Sequence, residues 1–244
     1  MNTLNGRRLG AGAAMAVAGL LLAGCTGGTP AGGGSEAVAS SSPRASATSG
    51  GGLETLSASK ILDRAVRTSE AATSVRVKGS GRDHGDTVAL DMCIAGRHRA
   101  SGHIWLGHRR VDVIRIGSVL YVSGNARFWR SSTRQQDVSA FTGKYLKTST
   151  HDKDFADLLA LMRVPDLLAD VARPTGQVAK KARTTYHGTP AVPLVDEGSG
   201  TLYVAATGKP YVLGLRANGE RLDFTEYGHR ITVHAPPRDR VIPV

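Results

Sequence analysis

Ser74-Val75-Arg76-Val77-Lys78-Gly79 and, after a glycine-rich gap, Val88-Ala89-Leu90-Asp91-Met92-Cys93-Ile94 are the segments from which the fold can be read. Val75 and Val77 alternate with Arg76 and Lys78, and Leu90, Met92 and Ile94 alternate with Asp91. A period of two sends successive side chains to opposite faces, so each segment reads as a strand with one buried and one wet face. One-sided burial of that kind belongs to antiparallel sheets. Gly79, Gly81, Gly85, Gly96 and Gly107 read as turns between the pieces. Ile104 and Leu106, then Val111 to Ile116, then Val119 to Val122 prolong the meander to about Trp129.

On the N-terminal side the pattern is helical. Ala58, Ile61, Leu62, Ala65, Ser69 and Ala72 recur at three-and-four spacing, behind Ser57 or Ser59 as a cap. Downstream, residues 152–172 carry Phe155, Leu158, Leu159, Leu161, Met162, Leu167, Leu168 and Val171 with few turn formers. This predicts two short helices joined at Val164-Pro165, because proline fits a first helical turn and breaks a continuing one. Strand patterns resume at 177–186, 190–196, 201–206, 211–216, 221–227 and 230–235, with Asn218-Gly219 as a hairpin turn.

Strands, then helices, then strands, without strand–helix–strand crossovers, specify an α+β class. A flat sheet of about ten strands is expected to curl. The expectation is therefore a curved antiparallel half-barrel whose concave side is covered by the first helix and the 155–171 helices.

The N-terminus follows other rules. Arg7-Arg8, an apolar run from Leu9 to Ala23, and Leu22-Ala23-Gly24-Cys25 have the three-part layout of a secretory signal. The run falls short of the roughly 20 apolar residues that span a bilayer. Cysteine directly after a small-residue cleavage site looks like a bacterial lipobox, so residues 1–24 are read as a lipoprotein signal peptide and Cys25 as the lipid anchor. Residues 26–52 are nearly all Gly, Ser, Ala, Thr and Pro and cannot bury enough apolar surface to offset their ordering entropy. Residues 25–52 thus read as lipidated cysteine plus flexible tether, and 53–244 as a single domain. That places the protein on the extracytoplasmic face of the cell membrane.

The chain has a formal charge of +11. Export and the absence of any nucleic-acid-binding motif argue against a nucleic-acid partner. The basic stretches, Arg127, Arg130, Arg134, Lys144 and Lys147 against Asp137, and Lys180, Lys181 and Arg183, suit either attraction to anionic headgroups or a solvated face. No protein partner is indicated. Cys93, the only cysteine besides Cys25, reads as a small half-buried residue. His98, His103 and His108 are spaced so that neighbours on a strand fall on opposite faces, which argues against a metal site. Asp83-His84 and Asp86 fall in a glycine-rich turn and read as a solvated loop. No nucleophile elbow, phosphate-cradling loop or His-Glu-x-x-His is present, so neither enzyme activity nor a cofactor is expected.

The lipobox and tether, Thr73-Ser74-Val75-Arg76-Val77-Lys78-Gly79, Val119-Leu120-Tyr121-Val122 with Phe128-Trp129, and Phe141-Thr142-Gly143-Lys144-Tyr145 together resemble the LppX/LprAFG lipoproteins of actinobacteria. Thr201-Leu202-Tyr203-Val204-Ala205, Gly208-Lys209-Pro210-Tyr211, Asp223-Phe224-Thr225-Glu226-Tyr227-Gly228 and Val233-His234-Ala235-Pro236 extend the resemblance from about Ala58 to Pro236. The resemblance implies a fold like the LolA and LolB lipoprotein carriers and a lipid or glycolipid ligand in an apolar cavity. Candidate lining residues are Ile61, Leu62, Leu90, Met92, Ile104, Leu106, Phe155, Leu158, Leu159, Met162, Leu167 and Leu168. Taken alone, the 155–168 cluster reads as ordinary core; within the implied architecture it serves as core and lipid wall together. The alternative is a tethered interaction module with a filled core, docking on a protein or anionic wall polymer through its basic face.

Overall fold

The computed structural model describes residues 52–83, 85–132, 138–171, 173–198 and 200–243. The signal segment, Cys25, nearly all of the tether, His84, Arg134 and Asp137 lie outside the described residues.

Leu53 is buried at the start of the domain. Helix α1 (Ala58–Glu70) follows, with Ser57 as its N-cap: the Ser57 hydroxyl accepts from the Lys60 N–H at 3.4 Å. Its apolar stripe, Ile61, Leu62 and Ala65, is buried. Ser69 continues that stripe as a polar member, and its Oγ accepts the Val212 N–H at 2.9 Å, which ties the end of the helix to the sheet.

A six-strand meander then forms: β1 (Ser74–Asp83), β2 (Asp86–Ala95), β3 (Arg99–Leu106), β4 (Arg109–Ile116), β5 (Val119–Gly124) and β6 (Tyr145–Ser149). Between β5 and β6 the chain makes helix α2 (Ala126–Ser132), so β5 ends at Gly124 and Phe128-Trp129 are helical, not extended as the sequence pattern suggested. The reason lies in packing: Phe128 presses on Gly124, where a Cβ would stand 2.3 Å from its ring, and Trp129 bridges Phe128 and Phe141 with centroids 5.0 Å from each. Gly79 and Gly81 are not turns either; both lie within β1. Strand β6 was not legible, because Tyr145-Leu146-Lys147-Thr148-Ser149 carries one aliphatic residue.

Helices α3 (Ala156–Ala160) and α4 (Val164–Val171) follow, with Pro165 in the first turn of α4, as its missing N–H allows. The 177–186 segment becomes two short strands, β7 (Ala179–Lys180) and β8 (Thr184–Tyr186). Strands β9 (Thr189–Asp196), β10 (Gly200–Ala205), β11 (Val212–Ala217) and β12 (Glu220–Thr225) complete the second half. Asn218 and Gly219 both take positive φ, 47° and 81°, in the β11–β12 turn, the geometry an Asn-Gly hairpin demands. Residues 230–235 form no strand; instead β13 (Val241–Pro243) lies parallel to β6.

The thirteen strands found among the described residues belong to one open, curved sheet in the order β13-β6-β5-β4-β3-β2-β1-β12-β11-β10-β9-β7, with β8 on β9. The α+β class and half-barrel shape expected from the sequence are found, with more strands and one parallel pair. Strand β1 joins the halves, pairing β2 on one side and β12 on the other. Register sets the inner face. Val77 lies beside Met92 and Phe224, and Met92 beside Gly102, which lies beside Val113, itself beside Val122. Over this row and its neighbours lie α1, which meets β10, β11 and α4, and α2, which meets β4 and β5. None of the described helices is long and apolar enough to cross a membrane.

Candidate functional site

The twelve candidate lining residues come together. Ile61, Leu62, Met92, Ile104, Leu158, Met162, Leu167 and Leu168 belong to one buried cluster between sheet and helices, and Leu90, Leu106, Phe155 and Leu159 pack half-exposed against it. Their degrees of burial divide them. Ile61, Met92 and Leu168 are 0 % exposed and Ile104 and Met162 1 %, so these side chains meet packed protein atoms, not a water-sized void. The half-exposed members form an apolar margin to the packed interior. Gly79 adjoins that margin on β1: a Cβ there would stand 2.8 Å from Leu222 and 3.2 Å from Leu90.

Strand β4 breaks the apolar row. Val111 and Val113 face the helices, and by the same alternation so does Arg115, flanked across the ladder by Ala100 and Leu120, both 0 % exposed. Burial pushes its guanidinium down from the ordinary arginine range, Arg163 adds repulsion, and Asp166 partly offsets both. Asp166 is engaged by Arg163, Nε to Oδ2 at 3.2 Å.

The outer face carries its charges in pairs. Arg76 grips Asp91 with two bonds of 2.9 Å, Lys78 adds a contact at 3.3 Å, and hydrogen bonds from these partners hold the Asp91 carboxyl below the usual range against its burial. Farther along, Asp223 is only 8 % exposed. Its Oδ1 accepts from the Tyr186 hydroxyl at 2.5 Å and from an Arg216 N–H at 3.0 Å, with His187 Nε2 at 3.3 Å; Oδ2 faces Arg221 Nε at 3.3 Å. Burial works against the Asp223 charge, yet Tyr186 and Arg216 outweigh it and keep the carboxyl low. Arg216 also lies over the Tyr186 ring, which stacks on Tyr203. Gly214 leaves room for this: a Cβ would stand 2.3 Å from the Tyr186 hydroxyl. Sequence reading missed the cluster, because Asp223 looks like any outward residue of a strand until β8 folds over it. Arg115 did leave a signal, an arginine in phase with Val111 and Val113.

Two of the basic residues have local work. Lys180 Nζ donates to the carbonyls of Glu54 and Leu56 at 2.7 and 2.9 Å, and Arg183 pairs with Glu54 at 2.6 Å. They pin the segment that leads into α1. Arg127, Arg130, Lys144, Lys147 and Lys181 are exposed. His98 and His108 sit at opposite ends of β3, and His103 between them meets Asp112 at 3.2 Å. Cys93 is half-buried on the outer face, and burial pushes its thiol up, away from the reactive thiolate. A groove of about 360 Å³ near the β11–β12 turn is lined by Ser80, Gly81, Arg82, Thr87, Asn218, Gly219 and Glu220; its walls are largely polar.

The chain matches no protein-family model, and no curated protein matches it either. Among solved structures it is similar to LprF from Mycobacterium bovis, at 13% identity over 73% of this chain and 96% of that one, TM-score 0.48. Lipoprotein LppX from Mycobacterium tuberculosis matches at 12% identity over 72% and 98%, TM-score 0.42. A LolA superfamily protein from Nitrosomonas europaea matches at 12% identity over 75% and 96%, TM-score 0.26.

Proposed function

We propose that this chain is an extracytoplasmic lipoprotein, anchored through Cys25, whose folded domain binds and shuttles a lipid or glycolipid between the inner face of the sheet and helices α1, α3 and α4. The observation that carries the reading is the apolar cluster itself. It runs from Ile61 and Leu168 under the helices to Met92 and Ile104 on the sheet, and reaches the surface at Leu90, Leu106, Phe155 and Leu159. An acyl chain entering there displaces side chain against side chain. Burying a 16-carbon acyl chain from water is worth roughly 12 kcal/mol at about 0.8 per methylene, but a chain leaving a bilayer was already in hydrocarbon, so the net apolar term is small. Selectivity then falls to the headgroup. On this reading the described packing is the lipid-free form, and uptake requires α3 and α4 to part from the sheet.

Native mass spectrometry and solvent extraction of protein purified from its own host are expected to find bound lipid; a lipid-free protein overturns the reading. Cys25→Ala is expected to release the domain from washed membranes, since two acyl chains suffice for stable anchoring. Retention of that variant in the membrane would refute the anchor.

A second reading is favoured by the complete burial of Ile61, Met92 and Leu168. A permanently filled core leaves the exposed cations as the working surface, and the domain then docks on a protein or anionic wall polymer. Salt-sensitive capture of such a partner, from a protein that carries no lipid, supports this reading over the first.

A further inference from the structure

Arg115 is out of place by the rule that governs the rest of the inner face. Its Nε reaches the Gly117 carbonyl at a marginal 3.4 Å, and its Nη1 is shielded from solvent with no hydrogen-bond partner among the described residues. The arginines of the outer face are different: Arg76, Arg110 and Arg216 each meet a carboxylate at 2.9 to 3.0 Å. An arginine keeps its proton in a protein, so the half-buried Arg115 presents a charged fork whose shielded Nη1 has a donor unspent, a costly arrangement out of water. Arg163 stands near enough to raise the local positive potential, while Asp166 is occupied by Arg163. The complement to such a fork is a phosphate or carboxylate, which takes two parallel N–H bonds.

We propose that Arg115 receives the anionic headgroup of an acidic amphiphile whose acyl chain lies along the inner row, a specificity that rests on the lipid-binding reading above. A neutral headgroup leaves the guanidinium unpaired and is disfavoured for that reason.

The test loads the delipidated protein from vesicles holding equal parts phosphatidylglycerol and a neutral diglycosyl diacylglycerol with the same acyl chains, and counts bound lipids by native mass spectrometry. The unsubstituted protein is expected to retain phosphatidylglycerol over the neutral lipid by about tenfold, the worth of one charge-assisted pair. Arg115→Gln and Arg115→Met are expected to bring that ratio near one with total lipid unchanged. Arg115→Met also removes a half-buried charge with an unpaired donor, so its melting temperature is expected to hold or rise, which separates lost selectivity from lost folding. Equal uptake of both lipids, unaltered in Arg115→Gln, overturns the headgroup assignment and leaves lipid binding standing. Uptake of neither lipid overturns lipid binding itself. A melting temperature raised by inorganic phosphate alone, without lipid selectivity and abolished in Arg115→Met, assigns the site to a free anion and overturns the lipid version.

Discussion

The two faces of the sheet handle arginine in opposite ways. Outside, Arg76 and Arg216 are each matched to a carboxylate that is itself held by further donors, Lys78 on Asp91 and Tyr186 on Asp223. Inside, Arg115 lies between Ala100 and Leu120 with Nη1 shielded and unbonded. The contrast teaches what each face is built for. The outer charges complete one another and hold strands together, whereas the inner charge keeps one shielded donor without a partner among the described residues.

The largest expected effect comes from breaking the outer match. Asp223→Ala strands Arg216 and the Tyr186 hydroxyl around a buried position and is expected to cost about 3 kcal/mol in urea unfolding, the usual price of removing one partner of a buried pair. A loss below 1 kcal/mol shows that the cluster is not structural. The same carboxyl predicts a pH dependence. Its folded pKa lies below the ordinary value, so its contribution is fully present above an unfolded pKa of about 3.9 and is lost as pH falls through the folded pKa. The stability of Asp223→Asn is expected to depend less on acid in that window; an unchanged acid profile refutes the assignment.

Enlarging the inner margin sharpens the comparison from the other side. Leu159→Trp adds bulk where the cluster meets solvent. Lipid loading is expected to fall several-fold while stability moves by less than about 1.5 kcal/mol. Unchanged loading moves the binding place away from α3. The smallest effect is expected where charges are paired in full view: Arg183→Ala breaks an exposed contact to Glu54 and should shift stability by about 0.5 kcal/mol or less. A larger loss would mean that the attachment of the leading segment is integral to the core.

Legibility followed the strength of local pattern. Alternation in β1 and β2, the Ser57 cap, Pro165 in a first turn and Asn218-Gly219 in a hairpin were all readable because each is decided by a few neighbouring residues. Strand β6, with one aliphatic residue, owes its place to β5 and β13. Phe128-Trp129 looked extended and folds as a helix because Gly124 admits the Phe128 ring. Residues 230–235 alternate like a strand yet find no neighbour to pair with; Val233 is buried without a ladder. The lining candidates were recognisable as apolar, and the structure places them in or against one core cluster, but their packing depends on how closely α1, α3 and α4 settle, which no local pattern encodes.

The sequence by itself determined the α+β class, the inward and outward rows of the principal strands and, at Leu22-Ala23-Gly24-Cys25, the expectation of a lipid anchor. These depend on side-chain periodicity and short motifs, which act over a few residues. Only the tertiary structure decided which charges are satisfied. Asp223 gains its donors from β8, β11 and β12, while Arg115 is flanked by β3 and β5 and feels the charge of Asp166 on α4. Solvation and hydrogen bonding of a buried ion are sums over everything packed around it, and that sum exists only once distant segments meet.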